Sequence, residues 1–381
     1  MLLRGVRVVE LGQNIAGPFA SLILADLGAD VIKVERPGLG DDARRWGPPF
    51  WEGEGSMFHY LNRNKRSVAV DIKDPDDLGR LLDLIGTADV FVHNMRPGAA
   101  DQAGLGAAAL TARFPRLVYG AMGAFGRAGP LNRRPGYELL MQAFAGIMSV
   151  TGMPGGPPVR AGTSVNDLGT GMWCAIGVLA ALFARERTGR GAVIDTSLLE
   201  TAVTWTGISA AAYQASGEEP QPLGTGHPQV KPMGVYHTQD GPLVIAAGND
   251  RLWARLAAAL GRPEYAQDPR FVDNAARVGN RDVLDAFIND SVAAMTRAQV
   301  TALLEEAGVP CAPLHTIPEA LAHEQTRALG IVQEPPGEHP FRQVGLPISV
   351  DGQRPPIRTA APGLGADTGE VFGGLGAKEA S

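Results

Sequence analysis

Residues 6–35, VRVVELGQNIAGPFASLILADLGADVIKVE, decide the fold. The run Val6–Leu11 is short, apolar and rich in β-branched residues, as in a buried strand. Pro18–Leu27 has helical apolar spacing stopped by Gly28, and Asp30–Glu35 returns to strand. Strand, helix and strand in so short a span make a βαβ opening, and the alternation continues outward. SVAVDI (67–72), DVFVHN (89–94) and LVYGAMG (117–123) read as further strands. Between the first two, DPDDLGRLLDLIGTA (74–88) reads as an amphipathic helix with Leu78, Leu81, Leu82 and Ile85 inward. Strands separated by helices imply a parallel sheet with helices on both faces. A long helix rich in small residues is expected from Ser164 to Arg187, then strand and helix in AVIDTSLLETAV (192–203).

The Gly, Pro and polar stretch SGEEPQPLGTGHPQVKP (216–232) breaks the pattern and reads as a linker. Beyond it, a hairpin with Asp240-Gly241 at the turn and helical patterns at 249–261 and 281–308 mark a smaller α/β domain. A short strand follows in QVGLPISVDG (343–352), and a frayed tail is expected from Gly373.

The chain has 381 residues, 45% hydrophobic and 19% charged, which is an ordinary globular composition with room for two domains. Its net charge of −6 and scattered basic residues argue against a nucleic-acid partner. Arg4 and Arg7 interrupt the apolar start, and the apolar run Ala175–Ala184 is short and closed by Arg185 and Arg187. A cytoplasmic protein with no signal peptide and no membrane span is therefore expected. Cys174 and Cys311 lie in apolar contexts and read as reduced, buried thiols. The seven histidines show no ligand spacing, so no metal is expected.

Ligands of such a sheet bind beyond the carboxyl ends of the strands. In the turn GQNIAGP (12–18), Gly12 and Gly17 leave room for backbone to approach a ligand. The spacing is not GxGxxG, which speaks against a nicotinamide dehydrogenase. Glu35 and Arg36 end the second strand, where an acid suits ribose hydroxyls and an arginine a ribose phosphate. Lys65, Arg66 and Arg96 would add to a basic mouth, although each alone reads as a solvated surface charge. Asn94 reads equally as a turn residue bonding its own backbone.

Asp167, in RAGTSVNDLGTGMWCAIG (160–177), has two compatible readings. It is a helix N-terminal acid, three residues after Ser164 in a capping-box pattern. It is also a carboxylate beside glycines and backbone N–H groups, able to attack a carbonyl. The helix start is expected to keep it ionised at neutral pH. Tyr137 and Glu138, in RRPGYELLMQAFAG (133–146), open another helix either as packing and dipole-complementing residues or as part of the site.

Several of these segments together resemble the class III CoA-transferases, of the formyl-CoA and carnitine type. They are GVRVVELGQNIAGPFASLILADLGADVIKVERP, NRNKRSVAVDIK, NMRPG, GYELLMQA, VNDLGTGM with GRGAVIDTSLLE, and GVPCAPLHTIPEAL, spread over nearly the whole chain. The resemblance implies an α/β protein whose large Rossmann-like, CoA-binding domain comprises residues 1–205 and 326–381. It further implies a linker at 206–228, a small α/β domain at 229–325, and two subunits interlocked as a homodimer. Asp167 matches the family's catalytic aspartate. Ile15, Ala16, Arg36, Val70, Asp71, Ile72, Lys73, Asn94, Met95, Arg96 and Tyr137 match stretches that hold CoA, Arg36 near the adenosine phosphate. Glu138 matches a substrate-proximal carboxylate. Gln102 departs from a CoA-contacting arginine of formyl-CoA transferase. The stretch LGTGHPQVKPMGVY (223–236) lacks that enzyme's glycine run and looks like the carnitine and dicarboxylate enzymes, which points away from oxalate and formate.

The chemistry so implied needs no tightly bound cofactor, because acyl-CoA and a carboxylic acid are the substrates. Asp167 would pass through a mixed anhydride and then an aspartyl-CoA thioester, conserving the thioester's energy without ATP. Succinyl-CoA or a similar short acyl-CoA is the expected donor and a dicarboxylic or hydroxy acid the acceptor, with Arg160 either near the acceptor or simply on the surface. The alternative is an alpha-methylacyl-CoA racemase-like isomerase, which needs two acid–base groups flanking one carbon. Where those racemases carry a histidine this chain has Tyr137, a poor base with an ordinary pKa near ~10.

Overall fold

The computed structural model describes residues 1–337 and 341–376. The chain divides into two compact units, one built from Met1–Ile147, Arg160–Gly217 and the residues from Glu324 on, the other from Met148–Val159 and Glu218–His323. The frayed tail expected from Gly373 lies partly outside the described residues; Gly373 to Gly376 end a helix, Thr368–Gly376.

The first unit holds a six-stranded sheet. Its elements begin with β1 (Arg7–Leu11), α1 (Ala16–Asp26), β2 (Asp30–Glu35), β3 (Lys65–Ala69), α2 (Pro75–Gly86), β4 (Val90–His93) and β5 (Val118–Gly123). They continue with α3 (Glu138–Phe144), α4 (Val165–Thr188), β6 (Val193–Ser197), α5 (Leu198–Trp205) and α6 (Gly207–Ser216). All pairings are parallel, in the order β3-β2-β1-β4-β5-β6. The chain runs outward from β1 through β2 to β3, then returns to lay β4 on the other side of β1. Such a reversal opens a crevice at the carboxyl ends of β1 and β4.

Alternation along the strands separates two apolar faces. Val8, Val31, Val92 and Val118 pack under α1 and α4, against Ala20, Leu24, Cys174 and Val178. Val9, Ile32, Phe91 and Tyr119 face the other way, against Leu81, Leu84 and Ile85 of α2. Leu84 is fully buried, while Leu78 and Leu82 pack at the margin. Helix α4 is long and apolar enough to cross a membrane by length and composition, exceeding the Ala175–Ala184 run. It buries Gly171, Cys174, Val178 and Leu182, and its last turn is anchored where Arg185 donates to Asp89 at 2.8 Å and to the Arg116 carbonyl at 3.1 Å. Helix α6 occupies residues expected as the start of the linker. Its run of alanines favours helix, and the break comes only at Gly217, with φ +72°.

Strand β3 begins two residues before the run SVAVDI, at Lys65. That start places Lys65 in the interior beneath α1, in a fully buried ion network. Glu10 Oε1 meets Lys33 Nζ at 3.0 Å, Glu10 Oε2 meets Lys65 Nζ at 2.8 Å, and Lys33 Nζ also meets Asp41 Oδ2 at 2.9 Å. Ser21 donates to Glu10 at 2.6 Å. Burial alone would raise the Glu10 carboxyl, but Lys33 and Lys65 hold it at about 2. Burial brings the Lys65 ammonium down to about 8 against the pull of Glu10.

The free edge of β3 is closed by the end of the chain. Ser67 N–H donates to Asp367 Oδ2 at 2.7 Å, Ala69 N–H to Thr368 Oγ1 at 3.0 Å, and Asp367 N–H returns to the Ser67 carbonyl at 2.9 Å.

The second unit contains β7 (Met233–Thr238), β8 (Gly241–Ala246), α7 (Asp250–Ala259), α8 (Arg281–Val292), α9 (Arg297–Glu306) and β9 (Cys311–Pro313). Its antiparallel sheet runs β9-β8-β7 around a core with Tyr236, Trp253, Phe271, Leu284 and Leu304. Thr238 pairs with Gly241, so the hairpin turn is Gln239-Asp240, one residue earlier than the sequence suggests. Asp240 Oδ1 fixes it by accepting from Thr238 Oγ1 and the Arg297 N–H.

Replacing Lys33 by Met leaves Glu10 and Asp41 buried with one cation fewer. Loss of one partner from such a network costs about 3–5 kcal/mol. A urea titration of Lys33→Met is expected to show the transition of the first unit at correspondingly lower urea.

Candidate active site

The crevice at the ends of β1 and β4 is closed on itself. Asn94, after β4, accepts from the Gln13 N–H at 2.8 Å and donates to the Gln13 carbonyl at 2.7 Å, clamping the loop after β1. It therefore bonds a distant loop and not its own backbone. Gly12 and Gly17 prove to serve this contact. A Cβ on Gly17 would stand 3.1 Å from the Asn94 side chain and from Gly12 Cα, so the glycines bring two chain segments together and do not bare backbone for a ligand. Lys33 Nζ holds the Gly12 carbonyl at 3.0 Å, and Asp41 takes the N–H of Asn14, whose φ is +65°. This pinned loop ends in Ile15, the N-terminal cap of α1, and in buried Ala16.

Helix α4 crosses α1 at Gly171, where a Cβ would lie 2.6 Å from the Ala16 carbonyl oxygen and 3.0 Å from Ala20 N. Asp167 is one turn earlier on that face of α4. The capping box expected with Ser164 is absent: Ser164 makes no side-chain cap, its backbone having left the extended conformation that a cap requires. The Asp167 carboxylate accepts no hydrogen bond among the described residues. Burial, with the Glu138 carboxylate adding to it, pushes its pKa up to about 7. The helix start was expected to keep Asp167 ionised at neutral pH; the desolvated setting outweighs it, and the group is poised near half ionisation.

Glu138, the first residue of α3, is buried; Tyr137 before it is exposed. Gln142 Nε2 donates to Glu138 Oε1 at 2.6 Å, and Gln142 Oε1 accepts the Ala161 N–H at 2.8 Å. Gln142 escaped the sequence reading, although it stands at i+4 from Glu138 on one helical face. Neither polar atom of the buried Asn166 side chain, next to Asp167, has a partner.

The remaining candidates line the carboxyl edge unevenly. Arg36 is exposed and meets Asp42 at 3.0 Å. Glu35 is no ribose acceptor: it is buried, with Arg44 at 2.7 Å, Ser67 at 2.6 Å and the Asp41 N–H at 2.9 Å filling its oxygens. Val70 is buried, and Asp71, Ile72 and Lys73 form the turn into α2, where Asp71 accepts the Lys73 N–H at 3.0 Å. The Lys73 ammonium projects without a partner among the described residues, as does the Arg96 guanidinium. Met95 N–H donates to His93 Nδ1 at 3.2 Å. Gln102 and Arg160 are exposed, Arg160 donating to the Ala161 carbonyl.

Two cations leave the expected mouth. Lys65 is buried against Glu10, and Arg66 lies at the amino ends of the strands, paired with Asp30 at 2.7 Å. Cys174 is a buried thiol pushed up to about 12, whereas Cys311 is partly exposed at the start of β9, not buried. Among the described residues no group of His, Cys, Asp and Glu side chains is arranged to hold a metal.

The raised pKa of Asp167 carries a stability signature. As pH climbs from its ordinary value of 3.8 towards about 7, the unfolded chain gives up this proton while the folded site retains it, so stability falls across that window. Asp167→Asn is expected to melt at a higher temperature than the parent at pH 8, with the difference vanishing below about pH 4.

Residues 3–368 match the model of CoA-transferase family III. The chain is 39% identical over 363 residues to the acetyl-CoA:oxalate CoA-transferase of Acetobacter aceti, covering 94% of this chain and 92% of the relative. It is also 39% identical over 332 residues to the succinyl-CoA:glutarate CoA-transferase of Mus musculus, covering 87% and 76%. The crystal structure of a CAIB/BAIF family protein from Brucella suis superposes with a TM-score of 0.86 at 36% identity, covering 98% of both chains. The chain belongs to CoA-transferase family III.

Proposed function

We propose that this CoA-transferase moves CoA from a short acyl-CoA to a dicarboxylic acid through covalent intermediates on Asp167. The observation that carries the reading is the state of that carboxylate: half-buried, without a hydrogen bond among the described residues, and one turn from Gly171, where α4 touches Ala16. The Asp167 carboxylate attacks the thioester carbonyl, forming a mixed anhydride and releasing CoA thiolate. The thiolate attacks the aspartyl carbonyl, expelling the donor's acid and leaving an aspartyl-CoA thioester. The acceptor carboxylate then attacks that thioester to give a second anhydride, and the returning thiolate attacks the acceptor's carbonyl and frees Asp167. A dry site protects the anhydrides from hydrolysis.

The larger unit holds CoA in this reading. Arg36, Lys73 and Arg96 meet its phosphates, Arg36 at the adenosine end, while Ile15, Ala16, Val70–Ile72, Asn94, Met95 and Tyr137 line its path. Oxalate and glutarate appear in the names of the two relatives, so oxalate returns to the acceptors worth assaying. An isomerase would need a second acid–base group across the substrate carbon, and exposed Tyr137 is poorly suited to that task.

We further propose that the enzyme works in the cytoplasm as an interlocked homodimer. Exposed apolar side chains on α3 to α6 support the dimer, among them Phe144, Phe183, Trp205 and Ile208. Size-exclusion chromatography with light scattering is expected to give twice the 40.0 kDa chain mass.

Incubation with a panel of acyl-CoAs and free acids, read by mass spectrometry, is expected to yield new thioesters with a short acyl donor and a dicarboxylate. Hydroxylamine should trap the Asp167 peptide as its hydroxamate, and Asp167→Ala should abolish transfer. In the intact enzyme kcat/KM is expected to rise with pH through about 7, as Asp167 ionises. Undiminished turnover in Asp167→Ala would refute the mechanism.

A further inference from the structure

Gln142 is completely buried, and both ends of its amide are occupied. The nitrogen donates to Glu138 one turn earlier on α3; the oxygen accepts from Ala161, on the segment that enters α4. Reversing the amide would leave both partners unpaired in the interior, so its orientation is fixed. Glu138 is buried as well, and no cation pairs with it among the described residues. Of the charged groups on neighbouring segments, Arg134 lies over the Phe125 ring and Glu200 of α5 is engaged by Ser197. The Gln142 amide therefore fixes where the Glu138 carboxylate points.

We propose that Gln142 is a positioning residue of this site: its fixed amide holds the Glu138 carboxylate in place beside the turn of α4 that carries Asp167. The inference rests on the reading of Asp167 as nucleophile and goes beyond it. Two carboxylates confront each other in the free enzyme, and formation of either the anhydride or the thioester at Asp167 turns one of them neutral. The repulsion is thus present before the first attack and relieved in both covalent intermediates. If the Glu138 carboxylate turns away, that relief disappears, and Asp167 becomes a weaker base and a poorer nucleophile.

Gln142→Met removes the amide at nearly constant length. Its kcat is expected to fall at least about tenfold, with KM for the acyl-CoA within about threefold, because no substrate contact is lost. The acid limb of its kcat/KM profile should move down by at least about half a pH unit, as a Glu138 side chain no longer held in place turns away from Asp167. Glu138→Gln should move the limb the same way, and Gln142→Met should add nothing in that background. If Gln142→Met does not fold, Gln142→Asn, one methylene too short to reach both partners, is measured in its place. A limb that stays at the parental pH, or limb shifts that add in the double variant, overturns the proposal whatever happens to kcat. Asp167→Ala, assayed alongside, separates the two ideas. Activity in that variant removes the nucleophile reading, whereas inactivity there with an unmoved limb in Gln142→Met removes only the role of Gln142.

Discussion

The close approach of two helices at one missing side chain governs where Asp167 stands. At Gly171 the backbone of α4 lies directly on the first turn of α1, near enough that a methyl group would collide with the Ala16 carbonyl. Backbone cannot yield as a flexible side chain can, so this contact fixes the height of α4 above the sheet. One turn away on the same face of α4 stands Asp167. The loop below it is equally constrained, by Asn94 from one side and by Lys33 and Asp41 from the other. In the mechanism proposed above, a carboxylate that must meet a thioester within fractions of an ångström gains from such rigid supports.

The supports are themselves held by charges in the interior. Glu10, Lys33 and Lys65 stand on three adjacent strands, all on the face beneath α1, and Ser21 of that helix closes over them. An apolar triplet of similar shape could give equal stability. It could not fix the Gly12 carbonyl, which Lys33 holds, or the Pro18 carbonyl, which Lys65 holds at 2.9 Å. The network thus joins sheet stability to the geometry of the β1–α1 loop.

Much of this architecture was legible in the sequence. The four inner strands of the parallel sheet correspond to runs such as VRVVEL or LVYGAMG, since a strand buried on both faces is apolar throughout and short. Asp167 stood out less for its place at a helix start, where acids are common, than for its match to the catalytic aspartate of the family that the chain resembles. What escaped were pairings between distant residues. Lys33 and Lys65 look like solvated charges because nothing local reveals that Glu10 lies opposite, and a two-residue error at the start of β3 conceals the inward direction of Lys65. The same locality misled the reading of Asp167. Its position in the helix argues for ionisation, while its actual state depends on burial and on Glu138, brought near only by the fold.

The closure of β3 by the end of the chain has a consequence during biosynthesis. Ser67 leaves the ribosome 300 residues before Asp367, the residue that caps it. At about 5–20 residues per second the nascent protein carries an open strand edge for roughly 15–60 s. Throughout that interval the outermost strand can pair with a neighbouring polypeptide on the same message. The demand this fold places on the cell's chaperones is therefore set less by its core than by how late its final segment is translated.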